Sequence, residues 1–231
     1  MRIKVIIMSH DTPKTTKALY DLLHGTMDVT VFNVGSSEGM SPLCPFDLYP
    51  NLYYTGCWRE AMRRFGDYDV LWVIGGDVTA QNTANEYRIA IETAMPFGTW
   101  SPSIVGSSRD VMSRDKVNGR VLDVFHLEGI ATAISQNMMR MIDWDIPDGS
   151  KLGWGIDLWM SWMGWITLHR NILDGRVSLH HPGSCGYNKF VARNEMSFFM
   201  YNSMGPDWEK EARTKPEFQS FDNNIRHVLR E

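Results

Sequence analysis

A chain of 231 residues that is 43% hydrophobic and 22% charged carries enough apolar material for one sizeable core, or at most two small ones. Its formal net charge of -4 argues against gripping nucleic acid over the whole surface and leaves only a local basic groove open. Three scattered cysteines, Cys44, Cys57 and Cys185, form neither a disulfide framework nor a zinc spacing, so a reducing compartment, the cytoplasm, is expected.

The first stretch, MRIKVIIMSHDTP, is basic and then apolar, as in a secretion signal. Its apolar run is short, lacks a small-residue cleavage site and leads straight into a helix start, so it reads as a first buried strand. TPKTTKALYDLLHG follows as a helix: Thr12 caps it, Pro13 suits its first turn, Leu19, Leu22 and Leu23 form its stripe, and Gly25 stops it. DVTVFNVGSSEG is a second strand that runs into a turn. YTGCWREAMRRFG is a helix with Trp58, Met62 and Phe65 on one face. YDVLWVIGGDV is a third strand, NTANEYRIAIETAM a helix and WSPSIVG a short strand. This alternation predicts an α/β sheet, mostly parallel, with helices on both faces. Ligands of such sheets bind beyond the carboxyl ends of the strands. His10, Asn33 and Asp77 fall at three such ends.

The second half is less regular. SRDKVNGRVLDVFHLEG suggests a hairpin turning at Asn118-Gly119. IATAISQNMMRMI reads as a helix, DWDIPDGSKLG as a loop, and WGIDLWMSWMGW as an aromatic-rich helix opening near an aspartate. ITLHRNILDGRVSLHHPGSCG holds two short strands that end at paired histidines. The tail after Tyr201 is polar, a surface helix or a loosely held end. No stretch is long and apolar enough to span a bilayer. The nine tryptophans and fifteen methionines mainly fill the core, although flat rings also stack on sugars and bases.

Three places carry chemistry. Asp77 follows Gly75 and Gly76, which let something approach the backbone closely. A carboxylate there suits a hard cation that completes its shell with substrate phosphates. It also suits an N-cap for the next helix. Asp157, in GWGIDLW, lies among large rings at a loop-to-helix junction. It is a general base tuned by partial burial, or a helix cap. In VSLHHPG, strand alternation puts His181 on the face of Val177 and Leu179, where it is a metal ligand beside Asp77 or a structural histidine. Asn33 is placed to pair with a base edge or simply to make a turn. Tyr54, Arg59, Arg63 and Arg64 lie near a helix start, which suits a phosphate.

The order IKVIIMSHDTP, VFNVGSSEG, YDVLWVIGGDV, GWGIDL, LHHPGS resembles the glycosyltransferases of the GT-A fold, the family 2 type in particular, from Arg2 to about Gly186. The resemblance implies one catalytic domain over 1–231. Residues 1–106 would form its nucleotide-sugar half, 107–200 its acceptor and metal-closing half, and 201–231 a tail. It implies that His10, Asn33, Tyr54, Arg59, Gly76 and Trp100 bind the nucleotide sugar. Asp77 and His181, or the neighbouring His180, would hold Mn2+ or Mg2+. Asp157 would deprotonate the acceptor hydroxyl, with Trp154, Gly155 and His180 on the acceptor side. Two departures stand out: Gly75 occupies the place of the first aspartate of the Asp-X-Asp motif, and the segment from Asp157 to Trp165 is shorter than usual. The implied reaction is inverting transfer of a hexosyl or pentosyl group from a UDP sugar to a saccharide, a small hydroxyl compound or a modified nucleic-acid base. Lys189, Arg193, Arg63 and Arg64 would form a basic rim for the last of these. A sugar-nucleotide-binding module without activity is the alternative. A nucleotidyltransferase fits less well, because SHDTPKTT lacks glycine, and no Gly-X-Gly-X-X-Gly follows the first strand as a dehydrogenase needs.

Overall fold

The computed structural model describes residues 1–43, 46–106, 117, 119–168, 170–182, 188–207 and 210. Cys44, Cys185, Asn118, Gly183 and most of the polar tail lie outside them. The elements in chain order are β1 (Ile3–Ser9), α1 (Pro13–Leu23), β2 (Asp28–Val34), β3 (Asp47–Tyr49), α2 (Tyr53–Phe65), β4 (Val70–Gly75) and β5 (Thr79–Ala80). There follow α3 (Ala84–Ala94), β6 (Thr99–Val105), β7 (Val121–Asp123), β8 (Ala131–Ser135), α4 (Gln136–Met141), α5 (Ile156–Leu168), β9 (Asn171–His180) and α6 (Lys189–Met204).

One sheet joins all the strands in the order β3-β2-β1-β4-β8-β6-β9-β5, with β7 added on β9. It is parallel from β3 to β4 and mixed beyond, where β8 runs antiparallel to both β4 and β6. β1 and β4 are apolar on both faces, as strands covered on both sides must be. Ile3, Val5 and Ile7, with Val70, Trp72 and Ile74, pack under α1 and α3 through Leu19, Leu23, Tyr87 and Ile91. Ile6, Leu71 and Val73 face the other way, onto Trp58 and Met62 of α2, Met138 of α4, Trp159 of α5 and Phe199 of α6. Each such large buried side chain contributes roughly 1.5–3 kcal/mol. The expected helices on both faces are therefore present.

Two local expectations are corrected. Ala131–Ser135 is a fully buried strand, and the helix begins only at Gln136. β7 pairs with β9, Val121 lying opposite Asp174, and Gly119 N–H donates to the Gly175 carbonyl at 3.1 Å; the first arm of the expected hairpin, 113–116, lies outside the described residues. The two short strands before the histidines are one strand, β9, broken in register between Pro102 and Ser103 of β6. Proline lacks the N–H a regular ladder needs, so the break falls where the sequence tolerates it. Gly175 sits inside the bulge, where a β-carbon would come within 2.4 Å of Val117.

Candidate functional site

The parallel register aligns the carboxyl ends of three strands, with Ser9 beside Asn33 and Met8 beside Gly75. The Gly75-Gly76 turn is tied down from below. Gly76 N–H donates to the Met8 carbonyl at 2.8 Å, and the Thr15 hydroxyl donates to the Gly76 carbonyl at 2.5 Å. A β-carbon on Gly76 would lie 2.6 Å from the hydroxyls of Thr12 and Thr16 and 2.7 Å from the Met8 carbonyl oxygen. Packing against Thr16 of α1, its N-cap Thr12 and the Met8 carbonyl thus requires a glycine at residue 76. Gly75 is different: a β-carbon there would press on Asp77 Oδ1 at 2.8 Å.

Asp77 does not cap α3. Thr83 does so, with Glu86 completing a capping box. The chain leaves Asp77 through buried Val78 into β5, where Thr79 pairs with His180 of β9. His181 follows, its N–H held by the Val105 carbonyl at 2.9 Å. Asp77 Oδ2 and His181 Nε2 meet at 3.2 Å. The hydrogen bond to Asp77 raises the His181 pKa; burial opposes this, and the charges of Asp77 and Glu128 add to it.

A second acid–imidazole pair lies along the chain segment that enters β8. His126 Nε2 is 3.3 Å from Asp157 Oδ2, both side chains being largely buried. Asp157 stands in the first turn of α5, where the helix dipole favours a negative charge, and its Oδ1 accepts the Leu158 N–H at 2.9 Å. Gly129 lets the two regions close together. A β-carbon on it would lie 3.2 Å from Asp157 Cβ and 2.7 Å from the Tyr54 hydroxyl, while the next carbonyl, of Ile130, accepts the Gly75 N–H at 2.9 Å. The short run Glu128–Ile130 therefore connects the two pairs. His126 and Glu128 were not singled out in the sequence.

The other expected residues divide. His10 is exposed at the strand ends, with Nδ1 2.8 Å from the Val34 carbonyl. His180 is exposed beside His181. Asn33 is fully buried, donates to Ser41 Oγ at 3.0 Å and accepts from Ser36, so it organises the turn instead of presenting an edge to a base. The same turn is pinned by Asp11, whose carboxylate accepts the Ser37 N–H at 2.6 Å and is held below the usual carboxylate range chiefly by that bond. Tyr54 donates to the Gly129 carbonyl at 2.5 Å and lies against Gly153, which places it beside Asp157. Arg59 is committed to Asp145 and Asp148 at 2.9 and 2.7 Å and to the Ile146 carbonyl, holding the loop after α4; this removes it from the donor side. Trp100 is a core residue, fully buried edge-on to Trp72 with its N–H on Asp174 at 3.3 Å, so it cannot touch a ligand directly. Gly155 faces Met196, Phe199 and Met200 of α6, not an acceptor. Trp154 is half-buried, and its carbonyl accepts the Ser150 hydroxyl.

Asp77 and His181 suit a divalent ion by donor chemistry. They bring a hard oxygen and a borderline nitrogen to one point. Among the described residues no third His, Cys, Asp or Glu side chain joins such a cluster. No helix among the described residues is long and apolar enough to cross a membrane.

No protein-family model and no curated protein sequence matches the chain. Solved structures do. GalNAc-T7 bound to UDP, GalNAc and Mn2+ aligns with a TM-score of 0.64 at 9% identity, over 99% of this chain. The chain spans only 54% of that protein's length. Glucosyl-3-phosphoglycerate synthase from Mycobacterium tuberculosis, bound to UDP, aligns at 0.60 and 11% identity, over 89% of this chain and 81% of that one. S. aureus TarS 1–349 aligns at 0.58 and 10% identity, over 95% and 77%. The fold is the GT-A glycosyltransferase fold, as the sequence resemblance implied.

Proposed function

From a GT-A fold with two acid–imidazole pairs at its ligand edge, we propose that the protein transfers a sugar from a UDP sugar to a hydroxyl acceptor with inversion. The observation that carries this reading is the meeting of Asp77 and His181, 104 positions apart in sequence, at the carboxyl end of the parallel strands. Those two side chains would hold Mn2+ or Mg2+. The ion, when bound, supplies Lewis-acid charge for the departing diphosphate. Asp157 is the general base. It takes the proton of the acceptor hydroxyl as that oxygen attacks the anomeric carbon from the face opposite the diphosphate. Calorimetric titration of UDP into the wild type and Asp77→Ala, each with and without MnCl2, tests the donor half. Metal-dependent binding that Asp77→Ala loses is expected. Equal binding by both proteins, or by neither, refutes it.

A further inference from the structure

The geometry points to His126 as a positioning residue for Asp157, an inference that rests on the transferase reading above. The contact of His126 Nε2 with Asp157 Oδ2 at 3.3 Å is not a chance meeting of two surface groups: only 7% of the imidazole and 16% of the carboxylate side chain are accessible. The residues on both sides of His126 are fastened to the helix that carries Asp157. Before it, the Phe125 carbonyl accepts the Asn171 side-chain amide at 3.0 Å, and the same amide donates to the Ser161 carbonyl at 2.7 Å. The Phe125 ring packs edge-on to Trp162 and Trp165 of α5. After it, the Leu127 N–H donates to Ser161 Oγ at 3.0 Å, and that hydroxyl donates to the Asp157 carbonyl at 2.7 Å. Ser161 and Asn171 thus fix the distance between imidazole and carboxylate.

A carboxylate has about four acceptor sites. In Asp157 one is taken on Oδ1 by the Leu158 N–H, and one on Oδ2 faces His126. A proton on His126 Nε2 donated to Oδ2 sets the plane of the carboxylate. The acceptor hydroxyl gives its proton to a carboxylate oxygen of Asp157. Its O–H bond breaks, its oxygen bonds to the anomeric carbon, and the bond from that carbon to the diphosphate oxygen breaks with its electron pair leaving on UDP. His126 keeps its own proton throughout. Holding the base in this way is an orientation effect, and misplacement of such groups typically costs up to about 100-fold in rate.

The test compares wild type, His126→Leu and His126→Gln. Gln offers an N–H near the place of Nε2, and Leu offers none. UDP release from UDP-glucose, UDP-galactose and UDP-N-acetylglucosamine is measured with MnCl2, water serving as acceptor. UDP affinity is measured in parallel. His126→Leu is expected to lose about 10- to 100-fold in kcat with donor KM and UDP affinity unchanged, and His126→Gln to recover most of it. A wild-type rate in His126→Leu, or a loss of UDP affinity matching the loss of rate in both variants, overturns the inference. Nitrogen-15 spectra of the histidines test it without turnover. His126 Nε2 should carry its proton and shift in Asp157→Asn, and an unprotonated Nε2 overturns the role whatever the activity. A wild type that neither binds UDP nor releases it overturns the transferase reading instead.

Discussion

Gly75→Ala separates the two glycines that precede Asp77. A β-carbon at residue 75 would meet Asp77 Oδ1 at 2.8 Å, and after that only the Ile130 carbonyl oxygen at 3.7 Å and Asp77 Cγ at 4.0 Å. Ordinary contact begins at 3.4 Å, so the carboxylate must retreat by about 0.6 Å. It can do so, because it ends a flexible side chain. Its Oδ2 is already 3.2 Å from His181 Nε2, the long end of an N–H···O bond, so the retreat sacrifices that partner or the position it shares with a cation. A hydrogen bond to a charged group is worth about 1.5–3 kcal/mol. The expected result is UDP affinity in the presence of Mn2+ weakened about 10- to 150-fold, together with the fall in melting temperature that loss of the Asp77–His181 bond brings.

Gly76→Ala should lower stability without touching the Asp77 carboxylate. Its β-carbon would meet two β-branched helix side chains at 2.6 Å and the Met8 backbone oxygen at 2.7 Å, none of which yields easily. Overpacking of this kind costs about 1–3 kcal/mol, or roughly 2–12 °C in melting temperature for a chain of this size. Calorimetry of UDP with MnCl2 and thermal unfolding on both variants decide the matter. Gly75→Ala protein that binds as tightly as wild type refutes the assignment of Asp77, and Gly76→Ala protein that melts with wild type refutes the reasoning about space.

Asp157→Asn should lower kcat for UDP release by about two to four orders of magnitude and leave UDP affinity intact; a full rate would remove Asp157 as the base. Asp28 tests the packing of β1 against β2. Burial pushes its pKa up, but hydrogen bonds from Lys4 and Tyr68 and the Lys4 charge outweigh this and leave it below the ordinary carboxylate value. Its stabilising effect is therefore present above the unfolded pKa and lost as pH falls through the lower folded one. Because Asp28 is half exposed, the effect is under about 1 kcal/mol. The stability gap between wild type and Asp28→Asn in urea melts should shrink as the pH falls below the ordinary carboxylate value of 3.8, and a gap that widens on acidification contradicts the pairing. Burial pushes the Cys57 thiol up to about 12. Alkylation of Cys57, read by peptide mass spectrometry at pH 8, should thus rise only with global unfolding in urea; rapid labelling of native protein would show that α2 opens locally.

The first half of the fold was legible because its strands and helices keep clean periods. β4 is apolar throughout and β1 apolar but for Lys4 and Ser9, and α2 places Trp58 and Met62 one turn apart on its buried face. The second half hid its strands. ATAIS is too short to show a period and runs into the apolar MMRM without a break, since Ser135 both ends β8 and caps α4 through the Met138 N–H. Asn118-Gly119 signalled a turn but carries no information about which strand lies beside it. Asp174-Gly175 looked like a turn between two strands, yet it bulges one strand. Asp174 is buried there on the Arg176 guanidinium, 2.6 Å away, a partner found only two residues on and easily taken for loop polarity.

The site was legible where a residue's role depends on its place at a strand end, and not where it depends on tertiary packing. Asp77 and His181 were paired from the sequence resemblance, and the fold brings them together. His126 sits in an irregular segment with no periodic signal, and only the clamp by Ser161 and Asn171 ties it to Asp157. The motif departure at Gly75 shows how far a pattern reaches without coordinates. Read alone, the missing aspartate suggested a weakened metal site. In the structure, the space that a side chain at residue 75 would need is filled by the Asp77 carboxylate, 2.8 Å from the place of its β-carbon. An aspartate at 75 and the present position of Asp77 exclude each other. The glycine leaves room for the Asp77 carboxylate in the position from which it reaches His181.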